Sequence, residues 1–229
     1  MFEDGLITSF KQHPVFRFAP KRKLPWMQRY LLELGALSDH FVRLNERARY
    51  SVSCDQPRSI FATIINEEIP SGKPSHQQER VHDMMRIWGV SLREIVNHTP
   101  SAITRTAIQC VESHLAFSPG EEFGILRDIR LVTFFRMYGE ILVAEQFRLV
   151  VNEMRRRLRI SPQANSRYYW PHFLHDQKWL RRKEQNHVNL SDAFLEKHIN
   201  SEEALTVAMK SAQDAHSVRY LALMQFVHL

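Results

Sequence analysis

Apolar residues recur every three or four positions along nearly the whole of this chain, and the two-residue alternation of a half-buried strand is almost absent. That periodicity predicts an all-α architecture. Within 24–50, Trp26, Tyr30, Leu34, Leu37, Phe41 and Leu44 fall on one helical stripe, and Pro25 sits in the first turn, where a missing N–H is harmless. Ile60, Phe61, Ile64 and Ile65 mark a second helix over 57–68, stopped by Pro70, Gly72 and Pro74. Ser75 caps a third helix that runs to Trp88 and closes at Gly89. Ser91 and Glu94 form a capping box for a short helix. A further helix follows Pro100-Ser101 and ends near His114, before the break at Pro119-Gly120. A long helical run over 121–159, bent near Gly139, ends at Ser161-Pro162. The next helix is expected to start between Ser166 and Pro171 and to reach His187. A last one opens at Ser201 with Glu203 and runs to the C-terminus. The expectation is a single domain over 1–229, built from seven to eight helices without repeats or linkers.

A chain of 229 residues can bury most of its apolar surface around one core and needs no disulfide. Cys54 and Cys110 are far apart in sequence and lie in no metal-binding spacing, which suits a reduced, cytoplasmic protein. The first ten residues are acidic and lack the apolar run of a secretory signal, and no stretch approaches the roughly 18 apolar residues of a membrane span. The net charge of +6 raises nucleic-acid binding as a question. The cations, however, sit in short groups such as Lys21-Arg22-Lys23 and Arg155-Arg156-Arg157, with no nucleic-acid motif beside them. They are read as solvated helix faces and helix C-termini, so neither nucleic acid nor membrane is expected as a partner.

The chemistry-bearing residues form a sparse series. His172, Asp176 and Trp179 are spaced i, i+4, i+7, which on a helix stacks them along one face. Glu67 ends the second expected helix, His76 opens the third, and Glu140 lies inside the long run. Separate helices would thus offer carboxylate oxygen and imidazole nitrogen to a common interior, a donor set suited to Fe or Mn. The plainer reading is that His172 and Asp176 cap a helix or pair on a surface. Phe134, Phe135, Tyr138, Tyr168, Tyr169 and Trp170 would line a pocket between helices or simply pack the core. No phosphate loop, nucleophile elbow or Cys-x-x-Cys is present, and Cys110 lies in an apolar helix, where a thiol is inert.

Several short segments together resemble the haem-oxygenase-like helical proteins, and within them the branch of the Chlamydia protein associating with death domains (CADD-like). His13-Pro14-Val15-Phe16 resembles the motif before the first core helix. Asn66-Glu67-Glu68, His76 and Trp88-Gly89-Val90 resemble the next segment. Tyr138-Gly139-Glu140 resembles the mid-helix Tyr-x-Glu, and the run from Tyr168 to Asp176 resembles Tyr-Phe-x-x-His-x-x-x-Asp-x-x-His. Wider relatives include the thiaminase-like TenA proteins and the quinone-forming oxidase PqqC.

The resemblance implies a haem-oxygenase-like helical bundle, a homodimer, and two non-haem metal ions that activate dioxygen for a small organic substrate. Carried over by position, the ligands would be Glu67, His76, Glu140, His172 and Asp176, with Glu140, His172 and Asp176 as the chemical centre. The loop before His76 is longer than the family pattern, which leaves Glu68 and His82 as alternatives, and Glu145 and His175 as alternatives further on. Trp179 stands where the last histidine is expected, and indole offers only a donor, so weak or single-ion binding is predicted. Phe16 occupies the position of a tyrosine that self-consuming relatives oxidise, which argues against that reaction. The expectation is an oxidoreductase with a degenerate dinuclear Fe or Mn site. A cofactor-free, PqqC-like enzyme or ligand-binding protein, or a non-enzymatic interaction protein, is the alternative.

Overall fold

The structure is a computed structural model that describes residues 2–117, 122–173 and 183–227. Every regular element among the described residues is helical: α1 Phe2–Lys11, α2 Pro14–Phe18, α3 Leu24–Ser51, α4 Asp55–Glu68, α5 His76–Arg86, α6 Leu92–Val96, α7 Ala102–His114, α8 Ile125–Phe135, α9 Leu142–Glu153, α10 Pro162–Asn165, α11 Lys183–His198 and α12 Glu202–Met224. The segments exceed the seven or eight expected because the long run over 121–159 is broken into α8 and α9, and because α1 and the short helices α2 and α10 are additional. Helix α1, which the sequence left unassigned, buries Leu6 and Phe10. None of the helices is long and apolar enough to cross a membrane.

The caps follow the sequence closely. Ser75 accepts the Gln78 N–H while Gln78 returns a bond to the Ser75 N–H, and Ser91 with Glu94 does the same. Gly89, just beyond the end of α5, has φ +66°, a left-handed turn that a side chain would strain. Ser201 accepts the Ala204 N–H at the start of α12.

The α8–α9 rod is the spine. From Leu131 to Met154 only Arg136, Arg148 and Asn152 escape burial, the pattern of a helix surrounded on all sides. Helix α12 packs along α8 and α7, α3 along α4, α7 and α5, and α11 against α4 and α8. Two charged side chains tie the spine's start to its neighbours. Asp128 accepts the N–H groups of Ser53 and Cys54, at the start of α4, and the Ser53 hydroxyl, all at 2.8–2.9 Å. Arg127 donates to the carbonyls of Ser51 and Leu115, which close α3 and α7.

The bend expected near Gly139 is a π-helical turn over Arg136–Ile141. Such a turn widens the ladder to i→i+5 and inserts an extra residue into the helix. A Cβ on Gly139 would collide with the Phe41 ring, so the glycine lets α3 approach the spine. Arg219 of α12 donates from Nε to the Tyr138 carbonyl at 3.0 Å and lies over the Tyr138 ring at 3.9 Å. Arg136 holds the turn from outside, with its guanidinium 2.7 Å from Asp192 of α11 and 2.8 Å from Glu3 of α1.

The helix expected to begin between Ser166 and Pro171 is absent from that stretch. Residues 167–173 form turns, and α11 begins at Lys183 and continues to His198, well past the expected end. Pro171 cannot donate to a helical ladder, and the chain upstream of it is held by Asp83 instead. This fully buried carboxylate accepts the Ser166 hydroxyl at 2.6 Å and the N–H groups of Arg167 and Tyr168 at 3.1 and 2.9 Å. The Ser166 oxygen in turn accepts the Trp170 N–H at 3.0 Å.

Asp83→Ala would strand these donors in the interior and should lower unfolding free energy by about 3 kcal/mol. Urea titration followed by circular dichroism measures this, and an unchanged midpoint would show that the clamp is dispensable. Gly139→Ala should cost about 1–3 kcal/mol through overpacking against Phe41, and Phe41→Leu in the same chain should recover part of it.

His13 gives a pH signature. The ring is buried at the start of α2, where Nδ1 accepts the Val15 N–H at 3.1 Å and the ring meets Tyr220 edge-on. Burial lowers its pKa to about 4, the Tyr220 backbone partly opposes this, and His216 adds to the lowering. A folded-state pKa below the ordinary 6.5 means that the unfolded chain takes up the proton first. The stability this residue confers is therefore complete above pH 6.5 and is lost as the pH falls towards 4. His13→Asn, which keeps a capping acceptor, should flatten the slope of denaturation midpoint against pH across that window.

Candidate metal centre

Five elements bring their polar residues to one interior point. Helix α4 ends with Glu67 and Glu68, α5 begins with His76, and the π turn presents Glu140. The turn after Tyr168 presents His172, and α11 presents His187. His76, Glu140, His172 and His187 are all at most 7% exposed. Five of these residues open on a common chamber of about 40 Å³: Glu68, His76, Glu140, His172 and His187, with Phe41, Val143 and Phe147 on its wall.

The first group is Glu68, His76 and His172. One donor atom of each lies within 4.8 Å of the others. His76 Nδ1 is 3.0 Å from Glu68 Oε2 and 3.2 Å from His172 Nε2. Ligands about 2.0–2.2 Å from a common ion stand roughly 3.0–3.5 Å apart, so these separations suit first-row metal coordination. Orientation agrees with this. His172 Nδ1 faces the Tyr168 carbonyl at 2.5 Å, so that nitrogen carries the proton and donates. The Nε2 lone pair is then directed inward, the same backbone-carbonyl support that orients metal-binding histidines. The Asp83 clamp fixes the backbone that supplies this carbonyl.

The second group is Glu67, Glu140 and His187. His187 Nε2 is 3.3 Å from Glu67 Oε2, and its Nδ1 is 3.4 Å from Glu140 Oε2. One imidazole thus spans two carboxylates from different helices. Glu67 Oε2 is buried and makes no hydrogen bond there.

Electrostatics favours an ionised Glu68. Burial pushes Glu68 up, but the His76 hydrogen bond and the positive fields of His76, His172 and His187 outweigh it and hold the carboxyl below its ordinary range. Burial raises the Tyr168 phenol, and the Glu68 carboxylate raises it further, so it stays protonated beside the His76 and His172 rings.

The sequence-derived candidates divide unevenly. His76, Glu140 and His172 converge as expected. Glu68, the alternative, takes the place beside His76 that Glu67 was expected to hold, and Glu67 turns to His187. Adjacent helical residues point about 100° apart, so spacing alone could not choose between them. His82 faces Asp83 at 3.4 Å on the other side of α5, away from the chamber. Glu145 pairs with Lys11 at 3.3 Å and Arg148 at 2.7 Å and is structural. His175, Asp176 and Trp179 lie outside the described residues. His187 was missed because the helix was expected to end there. Ser191 and Phe194, at i+4 and i+7, continue its buried face and are the signal that would have found it.

No family model matches the chain, and a search of curated proteins finds no match. Solved structures do match it. A crystal structure at 2.00 Å of a CADD-like protein of unknown function from Nostoc punctiforme superimposes with a TM-score of 0.72 at 12% identity, covering 99% of this chain and 97% of that one. A 1.35 Å structure, also of a CADD-like protein of unknown function from that organism, gives 0.69 at 13% identity, covering 99% and 94%. The full-length superposition, at an identity too low to carry function, establishes that this chain has the fold of a CADD-like protein.

Proposed function

We propose that the chain is a metal-dependent oxidoreductase whose ion is held by Glu68, His76 and His172. The observation that carries this reading is the convergence of three ligand atoms within 4.8 Å in a buried chamber, with one imidazole already oriented by a backbone carbonyl. Two imidazole nitrogens and a carboxylate oxygen suit Fe or Mn. A buried carboxylate also needs a positive partner more strongly than an exposed one does. Glu67, Glu140 and His187 form a second, looser donor group around the same interior. His187 spans Glu67 and Glu140 through its two ring nitrogens, so these three donors do not close on a single point as the first group does.

A bound redox-active ion of this kind supplies the capacity to activate dioxygen. The chain's own residues do the rest. Phe41, Val143 and Phe147 supply the apolar part of a chamber wall that is otherwise polar. Tyr168 holds its phenolic proton next to His76 and His172. Glu140, anchored on the π turn, is placed to exchange a proton with His187.

Chain produced with iron or manganese supplied should retain metal through gel filtration, measured by elemental analysis. His172→Ala and Glu68→Gln should each lose most of it while keeping the parent helix content, and His187→Ala should lose only part. Equal metal in the parent and in both first-group variants, or none in any of them, would overturn the reading.

A further inference from the structure

Two clefts open on the surface beside α5, and their arginines differ in one respect. The first, of about 390 Å³, lies between α3, the end of α4 and the start of α5, and shares Ser38, Glu68, His76 and Tyr168 with the buried chamber. Its arginines are engaged: Arg80 is bonded to Asp39, and Arg43 to Glu112 at 2.8 Å. The second, also of about 390 Å³, lies on the other side of α5, against α10 and the residues that follow α9. That volume falls within the ordinary range of small-molecule sites. His82 and Arg86 of α5, Asn165 of α10 and Arg167 line it, with Leu158 and Ile160 as apolar wall.

The arginines of this second cleft are not engaged. Arg86 and Arg167 are exposed, and neither guanidinium has an ion pair or a hydrogen bond among the described residues. Arg159, exposed between the wall residues Leu158 and Ile160, is likewise unpaired. Among the described residues no carboxylate side chain lines the wall. Three acids stand near it. Asp83 is fully buried, and its oxygens already accept the Ser166 hydroxyl and the N–H groups of Arg167 and Tyr168, with His82 Nδ1 at 3.4 Å. Glu153 is taken by Arg156 at 2.6 Å and Arg157 at 3.0 Å. Glu79, unpaired on α5, comes two turns before Arg86, about 10 Å along the helix axis. The C-terminal dipole of α5 offsets part of the Arg86 charge and fades within a turn. The balance on the wall stays positive, with two free guanidiniums against one buried carboxylate already saturated by its own donors.

We infer that this cleft is a binding site for the phosphate group of a small phosphorylated molecule, engaged by Arg86 and Arg167. A guanidinium is always charged and presents its donors as a planar fork that meets phosphate oxygens two at a time. Two such forks, one from the end of α5 and one from the turn after α10, suit a dianion better than a single carboxylate. Leu158 and Ile160 give apolar contact to the group that carries the phosphate. The charge is also bounded. Glu153 neutralises Arg156 and Arg157, so no continuous basic stripe runs on from the cleft as an extended polymer would require. The site stands apart from the metal centre and does not depend on it.

The test is calorimetric titration of the full chain at low salt with phenyl phosphate, benzoate and benzyl alcohol. Phenyl phosphate should bind with a millimolar Kd or tighter, and inorganic phosphate should compete with it. Benzoate should bind more weakly and benzyl alcohol not at all. Arg86→Gln and Arg167→Gln should each weaken phenyl phosphate binding by about fivefold, the upper scale of one exposed charge pair, and added salt should weaken binding to the parent. Lys210→Gln removes the same charge from α12, away from the cleft, and should bind like the parent. Ala164→Trp fills the cleft without changing its charge and should abolish binding. No phenyl phosphate binding, equal binding of benzoate, parent-like binding by both arginine variants, or an equal loss in Lys210→Gln would overturn the inference. Binding confined to single-stranded RNA or to phosphatidylglycerol vesicles would overturn it too, because it would place phosphate recognition on a polymer or a membrane surface.

Discussion

The π turn over Arg136–Ile141 is the constraint on which the rest of the site depends. A regular α-helix through this stretch would remove the inserted residue and rotate everything downstream by about 100°. The turn is maintained from three sides. Phe41 closes against Gly139, Arg219 takes the Tyr138 carbonyl, and Arg136 reaches Glu3 and Asp192. Helices α1, α3, α11 and α12 thus all hold the turn that carries Glu140. A local irregularity that costs free energy is held by long-range contacts, an arrangement common where function requires a side chain that regular geometry would misplace.

The electrostatics of the interior follow from that placement. Three histidines and several carboxylates occupy a region nearly closed to water, where an isolated charge is costly. Imidazoles between carboxylates lessen the cost without removing it. Around His76, the imidazole proton is shared with Glu68 while the His172 lone pair also points at it. One hydrogen cannot satisfy both carboxylate and imidazole acceptors on that nitrogen. A cation in place of that proton would satisfy all three groups at once. Arg219, already anchored to Tyr138 and Gln146, places a fixed positive charge on the chamber wall and limits the net negative potential there.

Much of this was legible in the residues. The capping serines, the break at Pro70, Gly72 and Pro74 and the bend at Gly139 each carry a local physical signature, and each appeared where expected; the break expected at Pro119-Gly120 lies outside the described residues. What was not legible has physical reasons. Glu67 and Glu68 are both ionisable, adjacent and at a helix end, and only the approach of α5 and α11 assigns them different partners. The i, i+4, i+7 argument for His172 assumed a helix that Asp83 replaces with a clamped turn, so His172 reached the expected interior by another geometry. Local propensity at 166–173 yielded to three hydrogen bonds from a carboxylate 83 or more residues away in sequence. Helix α1 was passed over because its acidic start hid the Leu6 and Phe10 pair that it buries.

The position of Glu68 and His76 at the boundary between two cavities bears on how such a centre would choose its substrate. An ion held there would be reached by small molecules from the chamber side and by larger ones from the cleft side. Selectivity would then come from the shape and charge of the cleft rather than from the ligands themselves, as expected when one fold serves several chemistries. The clamp at Asp83 links the two sides. It fixes Tyr168, whose ring forms part of both walls, and through the Tyr168 carbonyl it fixes the His172 tautomer. Any motion that widened the cleft by moving Tyr168 would withdraw the hydrogen bond that orients His172. If the cleft admits a substrate and His172 holds an ion, entry and ligand orientation would be coupled through Tyr168, and the Asp83 clamp would keep the His172 Nε2 directed inward while the cleft stands open.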